Sequence, residues 1–388
     1  MQVLTRMMCG LLALLLPFFA YADFSWNFPT PVTPMAVDTL QVHNKFMLIS
    51  IVIFFVVLSI MVYSLFAHRK SKGFKPITDK PPSTALEVFW TLVPFVILFV
   101  IDFVIMGIPA YHSVVIMENT RQQSDMVIKI TGSQWRWQYE YMDGGAEGIK
   151  FVSNLTTSKK QMENQEPKGV NYLLEVDNPL VLPVGKKVRI LMTASDVLHN
   201  WWVPQFGSSR LAVPGFIRET WVKIEAPGTY RGQCKELCGI GHGFMPVVVE
   251  AKPLEAYQAW VETKKREMTE QNVNAGKEWT KEELLSQGKV VYEKNCAVCH
   301  QVTGAGLPPA FPALTGSKIA TAPIFSADGK YMKDSHLDRV LNGKNAMPGW
   351  KSTLNDTEIA SVITYERNAL GNNVGDILQP EQVKVARQ

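Results

Sequence analysis

One short segment of the chain, CKELCGIGHGFM at residues 234–245, contains two cysteines, a histidine and a methionine. Thiolates, an imidazole and a thioether form a soft ligand set that favours copper. The alternative is a structural zinc site, in which the two cysteines and the histidine bind tetrahedral zinc together with His199 from upstream. Met245 argues against zinc, because a thioether is a poor ligand for that ion. The segment therefore predicts a copper site.

A second pair of cysteines forms a Cys-x-x-Cys-His motif in the run NCAVCH. This motif is typical of haem c attachment, in which Cys296 and Cys299 add to the vinyl groups and His300 ligates the iron. Met347, in KNAMPGW, could be the second axial ligand, and such ligation gives a high-potential electron-transfer haem. The alternative is a thioredoxin-like redox pair, but no βαβ pattern surrounds it. With both pairs assigned, no cysteine of the mature chain remains for a structural disulfide.

These two sites belong to a chain of 388 residues, which is too long for one ordinary domain. Its near-zero mean hydropathy averages very apolar and very polar segments. At the start, a basic residue precedes the apolar run GLLALLLPFFA and the small-residue sequence AYA, a pattern typical of a secretory signal peptide. We expect residues 1–22 to be removed together with Cys9, so that the mature chain begins near Asp23.

Residues 23–120 are expected to form a transmembrane hairpin, because the apolar segments at about 46–67 and 88–108 are long enough to span a bilayer. A basic cluster between them is assigned to the cytoplasm by the positive-inside rule: Arg69, Lys70, Lys72, Lys75 and Lys80. Both ends of the hairpin then face the oxidising side, where bacteria attach haem and load copper. The net charge of +4 owes much to this loop, and the sequence has no DNA-binding motif.

Asp102 interrupts the second span, where a carboxyl group exposed to lipid would be costly. It could take part in a proton or ion contact with a partner subunit. The simpler interpretation, which we favour, is a polar residue near the outer interface that is hydrogen-bonded to a neighbouring helix.

Residues 121–255 form a β-rich region with apolar runs separated by Gly, Pro and Asn turns. The predicted strands are MVIKITG, RWQYEY, YLLEV, PLVLPVGKKVRILMTA, TWVKI and MPVVVEA. They predict a Greek-key sandwich or barrel. His199 follows the strand KVRILMT, and the cysteine segment lies on a late loop. Two loops at one end of a rigid β scaffold would bring these ligands together.

The C-terminal third predicts a helix, a linker and a helical module. A helical pattern covers 253–268, and the polar run TEQNVNAGKEW follows, so residues 256–279 are expected to be helix and linker. The last module spans 280–388, and its opening helix leads into NCAVCH. Its closing segment, LNDTEIASVITYERNAL, has apolar residues near helical spacing and a capping box formed by Asn355 and Glu358.

Five motifs occur together in one order: EVFWTLVP, GSQWRWQYEY, DVLHNWWVP, CKELCGIGHGFM and CAVCH. With them the chain resembles subunit II of haem-copper cytochrome c oxidases that carry a fused C-terminal cytochrome c domain, as in the caa-type bacterial enzymes. The resemblance covers essentially the whole mature chain. It implies a two-helix transmembrane hairpin, an all-β cupredoxin domain and an all-α class I cytochrome c domain.

The resemblance also implies a binuclear copper centre, called CuA. Cys234 and Cys238 would bridge the two coppers, and His199 and His242 would each cap one. Met245 and the backbone carbonyl of Glu236 would complete the ligand set, and the Glu236 side chain would reach a magnesium ion at the contact with subunit I.

Two further residues match family positions. Trp135 resembles the surface tryptophan through which electrons reach the copper pair, although an exposed tryptophan could instead serve packing alone. Glu87 matches a glutamate near a proton pathway into subunit I. The alternative for Glu87 is a helix N-terminal carboxylate that is stabilised by the helix dipole.

The function implied is an electron relay in the bacterial inner membrane, with both sites on the periplasmic side. A periplasmic donor such as cytochrome c would reduce haem c, and the electron would pass through CuA to haem a in subunit I, where oxygen is reduced with proton translocation. Subunit I and subunit III are the expected partners. A copper-free quinol-oxidising relative and a membrane-tethered copper carrier are the alternatives, and copper stoichiometry would separate them.

The chain departs from the family pattern at three positions. Leu211 and Phe216 stand around the Pro-Gly pair of RLAVPGFIRE, where many family members carry an acidic residue and an arginine. Ser133 precedes QW in place of an aromatic residue or histidine. None of these positions is a predicted copper ligand.

Overall fold

The computed structural model describes residues 25, 27–75, 83–275, 277–309, 311–345, 347–351 and 353–388. The predicted signal peptide, Cys9 and Lys80 therefore lie outside the described residues. Two long apolar helices come first: α1 (Pro34–Ala67), which includes the predicted first span, and α2 (Thr84–Phe99), which continues through a π-helical segment (Val100–Ile105). Both are long and apolar enough to cross a membrane, and their apolar side chains are exposed in the isolated chain.

Local signals explain where these helices begin. Thr33 caps α1 by accepting a hydrogen bond from the Ala36 amide, and proline occupies its first turn. Ser83 caps α2 in the same way, with Glu87 in the first turn. Asp102 lies in the π-helical segment, and its side chain is exposed. A third helix, α3 (Gly107–Glu118), leads to the β domain, and Asp38 of α1 contacts Ser113 and His112 on it.

The β domain contains ten strands in two five-stranded sheets. The strands are β1 (Met126–Ser133), β2 (Arg136–Tyr141), β3 (Lys150–Ser153), β4 (Leu180–Pro183), β5 (Lys187–Ala194), β6 (His199–Trp202), β7 (Ser209–Ala212), β8 (Arg218–Lys223), β9 (Gly228–Cys234) and β10 (Pro246–Lys252). The first sheet has the order β3-β2-β1-β5-β8, and the second has the order β4-β10-β9-β6-β7. The β1–β5 and β4–β10 pairs are parallel, and the other pairs are antiparallel.

The core of this domain lies between the sheets, because each strand buries alternate residues. Ile128 and Ile130 of β1 face inward beside Ile190 and Met192 of β5, and all are at most 1% exposed. Trp137, Tyr139 and Tyr141 of β2 fill the same core. The architecture is an all-β cupredoxin-like sandwich, as the sequence predicts.

Individual strand predictions were less accurate than the architecture. The prediction of a strand at YLLEV is wrong, because residues 172–173 form a turn and only Val176 makes a bridge, to Leu155. The strands β3, β6, β7 and β9 were missed. β3, β6 and β7 have only four residues each, and β9 (GTYRGQC) carries several polar residues and glycines, so alternation gives little signal there.

A surface helix, α5 (Leu254–Ala275), follows the sandwich and packs Tyr257 and Val261 on its core. The helix includes most of the segment that was expected to be a linker. That expectation was wrong up to Ala275, because the run TEQNVNA contains neither glycine nor proline and so has no residue that would end the helix before Gly276.

The C-terminal domain is helical. Its helices are α6 (Lys281–Asn295), α7 (Ala297–His300), α8 (Lys318–Thr321), α9 (His336–Asn342), α10 (Asp356–Asn368) and α11 (Pro380–Arg387). The remaining short helix, α4 (Lys159–Met162), lies in a loop of the β domain. Both side chains of the predicted capping box at Asn355 and Glu358 make their hydrogen bonds. Leu284 and Tyr292 of α6 pack with Ile359 and Ile363 of α10 in a separate hydrophobic core.

Candidate functional site

Three predicted ligands meet at one end of the sandwich. The Nδ1 atom of His199 and the sulfur atoms of Cys234 and Cys238 all lie within 4.8 Å of one another. The two sulfurs are 3.9 Å apart, and His199 Nδ1 is 4.0 Å from the Cys234 sulfur. All three residues are buried, with His199 fully inaccessible. Two thiols and an imidazole at this spacing form a donor set that suits a soft metal ion.

The strand pairing explains how distant residues come together. His199 begins β6 and Cys234 ends β9, and these strands pair antiparallel with Trp201 opposite Cys234. The imidazole also packs against Gly132 of β1, where an added Cβ would lie 3.0 Å from the His199 side chain. The absence of a side chain at this position makes room for the ring.

Asp196 orients the imidazole. Its carboxylate lies 2.8 Å from His199 Nε2, which leaves Nδ1 directed at the cysteine sulfurs. Asp196 also accepts hydrogen bonds from the amides of Gln134 and Val197. Asp196 is not among the residues predicted from the sequence, although an acidic residue three positions before a candidate ligand is a recognisable signal for such a partner.

Burial and the neighbouring side chains shift the pKa values of three of the predicted ligands. Burial disfavours a charged His199, but hydrogen bonds to Asp196 and Cys234 outweigh burial and raise its pKa to about 9. Burial opposes ionisation of Cys234, yet its hydrogen bond with His199 leaves the pKa lowered. Burial and the neighbouring Cys234 raise the pKa of Cys238 to about 12. Metal binding must therefore displace protons from this site.

The remaining predicted ligands lie on the same loop. His242 Nδ1 is 3.6 Å from the Cys238 sulfur, and the backbone carbonyl of Glu236 is 3.3 Å from the Cys234 sulfur. Met245 is 1% exposed, and its carbonyl accepts a hydrogen bond from the Cys234 amide at 3.0 Å. The loop thus presents all its predicted ligands at one end of the β domain.

Trp135 contacts the same loop. Its indole Nε1 donates to the carbonyl of Cys238 at 3.1 Å, and the Gln134 side chain donates to the same oxygen at 2.8 Å. The indole lies directly over Gly241, where an added Cβ would be 2.2 Å from the ring. Trp135 is therefore joined to the cysteine loop by both a hydrogen bond and close packing.

The second cysteine motif forms the end of α6 and the short helix α7. Cys296 and Cys299 are free thiols, and burial raises the pKa of each. His300 is 9% exposed, and its Nδ1 lies 2.9 Å from the carbonyl of Pro312, which leaves Nε2 available to iron. Met347 packs against the same hydrophobic core as Cys296. These residue types and placements fit a haem c with histidine and methionine ligands.

Glu87 lies apart from both clusters, in the first turn of the membrane helix α2. This is a position where the helix dipole stabilises a carboxylate. The predicted copper residues thus lie at one end of the β domain, the predicted haem residues lie in the C-terminal domain, and Glu87 lies on the membrane hairpin.

Comparison with known sequences adds three family matches. Residues 126–252 match the family described as cytochrome C oxidase subunit II, periplasmic domain, and residues 22–108 match its transmembrane domain. Residues 283–365 match the family described as cytochrome C oxidase, cbb3-type, subunit III. Cytochrome c oxidase subunit 2 of Phytophthora megasperma is 35% identical over 254 residues, which cover 63% of this chain and 91% of that protein.

The chain belongs to the cytochrome c oxidase subunit II family. A probable cytochrome c oxidase subunit 2 of Rickettsia bellii is 33% identical over 253 residues, 64% of this chain and 88% of that protein. The crystal structure of the periplasmic domain of subunit II from Bradyrhizobium japonicum is 38% identical, covers 37% of this chain and 96% of that one, and has a TM-score of 0.33. The present chain is thus a subunit II with a C-terminal cytochrome c domain.

Membership of this family makes the chain a subunit of an oxidase complex that transfers electrons and pairs with subunit I. The family matches imply CuA copper in the β domain and haem c in the C-terminal domain. The two apolar helices are the membrane part, and the sandwich is the extramembrane part. The cysteine clusters described above supply a fitting donor set for each cofactor.

Proposed function

We propose that this chain is the electron-accepting subunit of a respiratory cytochrome c oxidase. An electron from a periplasmic donor such as cytochrome c enters the haem c domain, passes to the CuA domain and leaves for haem a in subunit I. Oxygen reduction there is coupled to proton translocation. The observation that carries this proposal is that one chain holds two distinct redox donor sets, with Trp135 in contact with the copper loop and lining the cleft beside the haem-attachment segment.

Each copper ligand has a proposed part. Cys234 and Cys238 would supply the thiolate ligands, His199 and His242 the imidazole ligands, and Met245 and the Glu236 carbonyl would complete the set. Copper held by these residues would supply one-electron redox chemistry at the site. The chain itself supplies the rigidity, because Asp196 holds His199 and the paired strands β6 and β9 hold the two sides of the site.

In the haem domain, Cys296 and Cys299 bind the haem covalently, and His300 and Met347 are the proposed iron ligands. The hydrogen bond between His300 and the Pro312 carbonyl orients the imidazole. Trp135 is the proposed residue through which electrons reach the copper loop. Its indole hydrogen bond to Cys238 supports that part, since the contact is directly to the backbone of a bridging cysteine.

Further proposals concern the complex. The Glu236 side chain reaches a magnesium ion at the contact with subunit I, and Glu87 lies at the mouth of a proton pathway into that subunit. Subunit III is a second partner. The complex lies in a bacterial inner membrane with the copper and haem domains on the periplasmic side, which is consistent with the basic residues at 69–75 on the opposite side of the hairpin.

The test is Cys238→Ser in the purified complex. A hydroxyl is a hard, weakly ionised ligand, so the variant should lose the binuclear copper while keeping the distant haem c. In stopped-flow experiments, haem c should be reduced by the donor at the normal rate, but its electron should remain there and oxygen consumption should collapse. Normal oxygen consumption by a variant without binuclear copper would exclude the copper pair as an obligatory relay.

The copper content of the wild-type complex separates the alternative functions. Two coppers per wild-type chain are expected, against none for a quinol-oxidising relative and one labile copper for a carrier.

A further inference from the structure

Arg136 lies at the contact between the β domain and the haem domain. It begins β2, directly after Trp135, and its guanidinium stacks on the ring of Trp350 with 3.7 Å between the guanidinium carbon and the ring centroid. Trp350 is 4% exposed and belongs to the core of the haem domain, three residues after Met347. The stack therefore joins the two domains next to the proposed haem ligand.

This arginine has no carboxylate partner among the residues that the structure describes. It is 7% exposed, and its buried Nε lacks any hydrogen-bond partner within the described chain. Burial lowers the pKa of Arg136 to about 10, and the nearby Cys296, Asp196 and Cys299 only partly oppose that shift. A buried and unpaired guanidinium is costly for folding. Packing within the β domain alone does not account for it.

A second polar contact between the domains is weaker. Lys294 forms an ion pair with Asp177 at 2.6 Å, but the lysine side chain is 42% exposed, and exposed pairs contribute little. Lys294 also lines a cleft of about 420 Å³, with Trp135, Ile240 and Phe244 on one side and Ala297 and Val298 on the other. A desolvated arginine on a tryptophan face is a stronger and more directional contact.

Two consecutive residues, the last of the β1–β2 turn and the first of β2, thus contact the copper loop and the haem domain. Trp135 is hydrogen-bonded to Cys238 of the copper loop, and Arg136 is stacked on Trp350 of the haem domain. Any rotation of the haem domain about the Arg136 contact would change the distance between Trp135 and the haem-attachment residues across the cleft.

We propose that Arg136 is a positioning residue that holds the haem domain on the copper domain through Trp350, with the haem-attachment segment facing Trp135. The electron then crosses between the domains within one preformed contact and does not wait for the haem domain to diffuse on its linker. This inference rests on the proposed relay from haem c to copper, and it concerns only how the two domains are held.

The experiment uses the purified oxidase complex with Arg136→Gln and Trp350→Phe, singly and together. The matched control is Arg121→Gln, which makes the same change at an arginine of the β domain whose side chain is 76% exposed. Copper content and the absorption spectra of both centres verify that each variant is loaded. The rate of haem c reduction by the external donor and the rate of transfer from haem c to copper are then measured separately, at low and high ionic strength.

For Arg136→Gln we expect transfer from haem c to copper to slow by about tenfold, the effect of losing about 1.4 kcal/mol of docking free energy. Reduction of haem c by the donor should be unchanged. Trp350→Phe keeps an aromatic face and should slow the transfer less, and adding it to Arg136→Gln should slow the transfer no further, because both act through one contact. Arg121→Gln should match the wild type in both steps.

The outcomes separate the two proposals. If Arg136→Gln is fully loaded and still transfers at the wild-type rate, Arg136 does not position the haem domain, and the relay proposal stands. If Arg136→Gln fails to load copper, Trp350→Phe decides instead, and a wild-type rate in that variant overturns the inference. If the wild-type complex itself shows no transfer from haem c to copper, the relay proposal fails.

Discussion

The indole nitrogen of Trp135 donates a hydrogen bond to the backbone carbonyl of Cys238 at 3.1 Å. The same carbonyl accepts the side-chain amide of Gln134 at 2.8 Å, so two consecutive residues of the β1–β2 turn hold the cysteine loop from one side. The hydrogen bond fixes the edge of the indole ring, and the absence of a side chain at Gly241 lets the face of the ring pack closely against that residue. A substitution at Gly241 can therefore move Trp135 without removing a ligand of the copper site.

We predict that Gly241→Ala displaces Trp135 without removing a ligand. The added Cβ would lie 2.2 Å from the indole, so the ring must move, and such overpacking costs about 1–3 kcal/mol of stability. Electron transfer to copper should slow, and copper content should be retained. The control is Gly243→Ala, because no atom lies within 4 Å of a Cβ added there. Equal transfer rates in the two variants would show that Trp135 is not part of the route.

Met347→Ala should leave the haem attached but lower its reduction potential. The two thioethers and His300 remain, whereas the sixth ligand is lost. Redox titration and the low-spin absorption spectrum measure the effect, and turnover should fall with the potential. Met332→Ala is the matched control, because that methionine belongs to the same domain and is 39% exposed. An unchanged potential and spectrum in Met347→Ala would exclude it as the axial ligand.

The basic turn after α1 should be protected from a membrane-impermeant amine reagent that is applied outside sealed cells. Lys70 and Lys72 form a short exposed 3-10 turn between the membrane helices. Lys330 of the haem domain, with a side chain that is 82% exposed, is the positive control for labelling on the outer side. Mass spectrometry identifies the modified lysines. Modification of Lys70 or Lys72 in intact cells would reverse the proposed orientation.

Glu219→Gln should destabilise the β domain, and the loss should depend on pH. Hydrogen bonds from Arg189 and Arg121 lower the pKa of this carboxyl to about 2, below its ordinary value of 4.5. The charged form therefore stabilises the fold above about pH 4.5, and that contribution disappears as the pH falls towards 2.

Thermal unfolding of the β domain (residues 119–275) measures the effect of this substitution. At pH 7 we expect a loss of about 1–2 kcal/mol, with the difference between variant and wild type shrinking below pH 4.5. Glu225→Gln, at an exposed glutamate of the same domain, is the control. A loss that stays constant down to pH 2 would contradict the assignment to the charged carboxylate.

Several features of this protein are determined by the sequence alone, because the interactions behind them are local. The copper loop and the haem motif each place their ligands within a few residues. The capping box at Asn355 and Glu358 needs only one helical turn, and it forms as predicted. The apolar spans depend on composition and length, so they too could be predicted.

Features that depend on strand pairing or on contact between the domains are determined only by the tertiary structure. His199 and Cys234 are 35 positions apart and meet because β6 pairs with β9, two strands that the alternation of residues did not reveal. Asp196 can orient the imidazole of His199 only because this strand pairing fixes the position of the ring. The sequence alone does not distinguish Arg136 from the other polar residues of an alternating strand. Its contact with Trp350 exists only because two separately folded cores come together, and no local pattern encodes that meeting.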